Sequence, residues 1–158
     1  MKYHPAKAGK FNPIVVKLTR SGWVGEGTEP STALWFWKTV LSLKEALKSN
    51  LVEAWTTEIA IAELRYVLCR KMGWPEASER VNKLLLSGYI QVEDTQKLIN
   101  NASEIKCGRA ISLSDCFTLA LAHEIKGFAL FARKEEDLMT EIRRKPFDVP
   151  ILFLQDKE

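Results

Sequence analysis

The chain has 158 residues, a formal net charge of +3, 46% hydrophobic and 27% charged residues. That balance suits one globular domain with a proper core, and is too weakly basic to establish a nucleic-acid partner by itself. No apolar run approaches the roughly 18 residues of a membrane span, and no apolar segment follows Lys2, Lys7 and Lys10 as a secretory leader would require.

The elements follow in chain order. Residues 1–12 read as a basic arm: the first acid is Glu26, and no aspartate precedes Asp94. Such an arm either touches phosphates or is a solvated tail. Residues 13–154 read as a single domain and 155–158 as a tail. Ile14-Val15-Val16 is a short β-branched run, hence a buried strand. Residues 31–49 read as a helix, and Glu53-Ala54-Trp55 as a short strand. Thr56 or Thr57 caps a helix running to about Met72, which Gly73 stops. Pro75 suits the first turn of the next helix, to about Ser87. Tyr89–Val92 is a strand, and Asp94 caps a helix to about Cys107. Ser112 opens a helix to about Lys126, closed by Gly127. Phe128–Ala132 is a strand, Glu135–Arg144 a helix and Val149–Leu154 the last strand. This alternation predicts an α/β fold with a mostly parallel central sheet and helices on both faces. Ligand sites in such folds form at the carboxyl ends of the strands.

Glu63 stands out because its helical neighbours Ile59, Ala60, Tyr66 and Val67 are mostly apolar. It is either a metal ligand or acid at the edge of a pocket, or an ordinary carboxylate paired with Arg65 or Arg109 or turned to water. Asp115 lies in an apolar helix with Leu113, Cys116, Phe117, Leu119, Ala120 and Leu121. Ser112-x-x-Asp115 also resembles a capping box, and a capped carboxylate can still bind a cation. The run Arg133-Lys134-Glu135-Glu136-Asp137 follows an apolar strand; it reads as a pocket rim or as a solvated first turn.

Other features carry less. Cys69, Cys107 and Cys116 fit neither a disulfide framework nor a zinc site, and suit a reduced cytoplasm. His4 and His123 lie far apart and read as surface residues. Gly25-x-Gly27 lacks the rest of a phosphate loop. Trp35-Phe36-Trp37 reads as core or as a dimer surface.

Three segments together resemble a known family. Thr57-Glu-Ile-Ala-Ile-Ala-Glu63-Leu-Arg-Tyr-Val-Leu resembles the glutamate-bearing helix of the PIN-domain family, VapC-type ribonucleases. Ile111-Ser-Leu-Ser-Asp115-Cys-Phe-Thr-Leu-Ala-Leu-Ala resembles its aspartate-bearing helix. Gly127-Phe-Ala-Leu-Phe-Ala-Arg-Lys134 resembles its strand ending in Thr-x-Asp, and order and spacing agree from about residue 53 to 154. The resemblance implies a PIN-like three-layer α/β/α domain. It also implies a Mg2+- or Mn2+-dependent endoribonuclease of the cytoplasm, the toxin of a toxin–antitoxin pair. RNA would be the substrate, an antitoxin protein a partner, and a homodimer the assembly. Glu63 and Asp115 would be catalytic, with Glu63, Asp115 and Glu135 as metal ligands. Lys17, Arg20, Arg109, Arg133 and Lys134 would rim the groove and hold phosphates. Two departures stand against full activity. The first strand, Ile14 to Thr19, offers no aspartate, and Lys134 occupies the last acidic position. Reduced cleavage follows, or a degenerate PIN-fold module that binds RNA or protein without turnover.

Overall fold

The computed structural model describes residues 14–18 and 43–155. Its strands are β1 (Ile14–Leu18), β2 (Val52–Thr57), β3 (Ile90–Glu93), β4 (Phe128–Arg133) and β5 (Ile151–Gln155). The helices are α1 (Leu43–Lys48), α2 (Glu58–Met72), α3 (Trp74–Leu86), α4 (Ile99–Gly108), α5 (Leu113–Ile125) and α6 (Glu136–Arg144). The strands form one sheet in the order β3-β2-β1-β4-β5.

Four strands run one way, so the sheet is mostly parallel as the alternating pattern predicts. β2 pairs β3 in parallel and β4 pairs β5 in parallel. The central strand runs the other way: β1 is antiparallel to β2 and to β4. The five residues of β1 alternate in side-chain direction, as a pleated strand must. Val15 joins the larger core with Phe117, Leu119, Leu121, Ala129 and Phe131, while Val16 joins a smaller cluster with Leu130 and Leu152 on the opposite face. Helix α5 fills the first face, and Leu43 of α1 packs against the second. Helices on both sheet faces make the expected three layers.

Local signals placed most helix ends. The Thr57 hydroxyl accepts from Ala60 N–H at 3.2 Å and starts α2. Gly73 ends that helix at φ 85°, where a side chain would be strained. The Ser112 hydroxyl accepts from Asp115 N–H at 3.1 Å and starts α5. Asp94 caps a 3-10 turn, Thr95–Leu98, rather than α4 directly. Of the helix expected over 31–49, Leu43–Lys48 is helical and 31–42 lies outside the described residues. β5 extends to Gln155, which pairs with Arg133 and so belongs to the sheet rather than to a tail. The arm at 1–12 also lies outside the described residues. Among those described, no helix is long and apolar enough to cross a membrane.

Candidate functional site

Strand direction decides which side chains share an edge of the sheet. β2 ends at Thr57 and runs straight into α2, so Glu63 sits in the second turn beyond that carboxyl end. β4 ends at Arg133, and Lys134 and Glu135 follow before α6 begins, with Glu135 at the N-cap position. β2 and β4 flank β1, two strand spacings or about 10 Å apart. Glu63 and the Arg133–Glu135 stretch therefore leave the same edge on either side of β1. Helix α5 packs on β1, β2 and α2 and ends just before Gly127 and the first residue of β4. Its opposite end, carrying Ser112 and Asp115, points back along the strands toward the edge where β4 ends.

Glu63 is partly buried, and its Oε2 is buried without a hydrogen-bond partner. The two arginines that were candidates to neutralise it are engaged elsewhere. Arg65 donates to Asn82 Oδ1 at 2.9 Å, and Arg109 pairs with Glu141. Trp55 Nε1 on β2 and Ser114 Oγ on α5 are likewise buried without partners. An unmet carboxylate oxygen costs free energy that a cation or a donor would recover. The sequence flags Glu63 through its apolar neighbours, whereas Trp55 and Ser114 look like ordinary core positions.

The acidic set falls short of a three-ligand centre. Among the described residues, no three His, Cys, Asp or Glu side chains gather as a group able to hold a metal ion. The combination Glu63, Asp115 and Glu135 is therefore not assembled as one cluster, and the described donors do not fit a complete Mg2+ or Mn2+ shell.

The basic residues divide. Arg133 and Lys134 are exposed at the end of β4, and the Lys134 ammonium lies 5.9 Å from the centre of the Phe153 ring on β5. Lys17 lies elsewhere. Because β1 is reversed, Lys17 pairs with Glu53, four residues or about 13 Å short of Thr57 along β2. Arg109 is not a free phosphate contact either. Its side chain is only 11% exposed, pairs with Glu141 and donates to the carbonyls of Glu141, Lys145 and Pro146. Arg20 lies outside the described residues.

An open cleft of about 650 Å3 lies on the side where β4 and β5 begin, lined by Asn101, Glu104, His123, Lys145 and Asp148 among others. His123 Nδ1 is 3.3 Å from Asp148 Oδ2, and both side chains are exposed. This agrees with reading His123 as a surface residue.

A family model described as PIN domain matches residues 37–145, more than half of the chain. No curated protein and no solved structure matches it.

Proposed function

The chain belongs to the PIN-domain family, and from that premise we propose that it is an endoribonuclease of the VapC toxin type with reduced turnover. The observation that supports a working site is the buried, unpartnered Glu63 Oε2 beyond the carboxyl end of β2. A side chain held in that state is kept at a cost, and a ligand recovers it. Glu63 and Asp115 supply the negative charge, and Arg133 holds phosphate oxygens of the RNA. A second copy of the chain and an antitoxin protein are the partners this reading brings with it, and the cytoplasm its compartment.

Family-type cleavage depends on Mg2+ or Mn2+, and the described residues offer too few gathered ligands for either. That shortage, with Lys134 at the end of β4, is the reason for proposing slow turnover. The test is cleavage of single-stranded RNA by the full chain in Mn2+. Slow cutting is expected, with none from Asp115→Asn, which keeps the shape and removes the charge. Lys134→Asp should raise the rate, because it exchanges a repelling cation for an anionic ligand.

A second reading is a PIN-fold RNA-binding module without turnover. The reversal of β1 favours it: this strand brings Lys17 to the far edge and no carboxylate to the near one. RNA bound but left uncut by both the natural chain and Lys134→Asp would select this reading.

A further inference from the structure

We infer that the junction of α2 and α3 is a contact surface for single-stranded RNA, lying outside the carboxylate edge and leading away from it. The inference rests on the RNA reading above and names where the flanking nucleotides go.

Two large aromatic side chains are exposed within nine residues: Tyr66 at 42% and Trp74 at 57%. Between them the chain is basic. From Leu64 to Gly73 it carries Arg65, Arg70 and Lys71 and no acid. The Arg70 guanidinium lies over the Tyr66 ring, 4.9 Å from its centre. The acids that follow on α3 are matched within their own helix, Glu76 to Arg80 at 2.7 Å and Glu79 to Lys83 at 2.6 Å. Basic residues in a last helical turn have an ordinary role, complementing the helix dipole. That role does not account for two exposed aromatics on the same stretch.

The placement relative to Glu63 gives the surface its direction. Glu63, Tyr66 and Arg70 are spaced i, i+3, i+7, which puts them along one stripe of α2. From Tyr66 to Met72 the helix advances about 9 Å, and Gly73 then turns the chain so that Trp74 opens α3. An RNA strand whose phosphate Arg133 holds beside the carboxylate edge meets Tyr66 next and Trp74 beyond it. Aromatic faces stack on bases of any sequence, and interleaved cations hold the backbone; this is the chemistry of single-strand platforms. The alternating aromatic and cationic side chains fit a polyanion better than an apolar protein partner, which would leave Arg70 and Lys71 desolvated.

The experiment uses the full chain and a fluorescein-labelled single-stranded 12-mer RNA of mixed sequence, with anisotropy read in EDTA so that no turnover enters. Trp74→Ala and Tyr66→Ala should each weaken binding by roughly five- to a hundredfold. Trp74→Phe should stay near the natural chain, and Lys71→Glu should weaken binding without touching an aromatic. Circular dichroism melts establish that each variant is folded. If the alanine variants bind normally while Arg133→Ala binds poorly, the inference fails and the carboxylate-edge reading survives. If the natural chain binds no RNA, both fail. If Trp74→Ala instead halves the sedimenting mass without changing RNA affinity, the surface belongs to a second copy of the chain, and the inference is overturned.

Discussion

Arg109 and Glu141 meet twice: Arg109 Nη1 donates to the Glu141 carbonyl at 3.1 Å and lies 3.5 Å from Glu141 Oε2. Arg144 grips the same carboxylate at 2.7 Å, and Arg109 also lies over the Phe147 ring, 4.2 Å from its centre. The pair joins the link between α4 and α5 to the end of α6. Removing Arg109 leaves the Glu141 carboxylate to Arg144 alone and takes a donor from the carbonyls of Glu141, Lys145 and Pro146. Arg109→Met should therefore lower the thermal and urea midpoints. Arg109→Lys should recover only part, since one ammonium cannot reproduce the guanidinium fork. Melts followed by circular dichroism check this; an Arg109→Met protein as stable as the natural one would refute the role.

The same network makes stability depend on acid. The hydrogen bond from Arg144, supported by the Ala110 N–H and by Arg109, holds the Glu141 carboxyl below its ordinary range against the opposing effect of burial. A depressed folded-state value means that the ionised form favours the fold. Its contribution is complete above the unfolded-state value, about pH 4.3, and is lost as pH falls through the folded-state value. Glu141→Gln should be less stable at neutral pH and show a shallower loss on acidification. Urea titrations at a series of pH values measure both slopes, and parallel curves would count against the linkage.

Gly127 should not tolerate a side chain. A Cβ there would lie 2.8 Å from the Val16 carbonyl and 2.9 Å from Val15 Cγ1, both in the central strand. Gly127→Ala must push β1 away from the end of α5. We expect a loss of about 1–3 kcal/mol, typical of overpacking a core. Denaturant unfolding would measure it.

The three thiols should separate by reactivity. Burial pushes the Cys116 thiol up to about 11, whereas Cys107 is exposed and Cys69 partly so. Only thiolate attacks a disulfide reagent. In the folded protein near pH 8, Cys107 should react first and Cys116 only once the chain unfolds. Prompt modification of Cys116 under native conditions would place it in a more open setting.

The caps at Thr57 and Ser112 could be read from the sequence because each is a contact over three residues. The strand runs at 128 and 149 could be read because apolar density marks buried strands irrespective of their partners. The direction of β1 could not. A strand's residues show which side chains are buried and not which way it inserts, and its partners begin 34 residues on, at Val52. Arg109 misled for a related reason. Its acceptors lie 32 to 37 residues away, so locally it was an unassigned cation free for a phosphate. Glu63 was legible as an anomaly, since a carboxylate among apolar neighbours announces a special environment before any partner is known.

Among the described residues, the reversed β1 is also the strand that joins the two parallel pairs. The pairings of β1 with β2, β2 with β3 and β4 with β5 each close within about 40 residues, whereas Ile14 must find Leu130 more than a hundred residues later. Loop closure over that distance is the costliest in the sheet, so the docking of β1 on β4 is expected to follow the other pairings. The finished sheet then behaves as two plates riveted along one five-residue seam. Its amide protons on both sides of β1 should exchange together, at the rate at which that seam opens, and more slowly than the outer edges of β3 and β5.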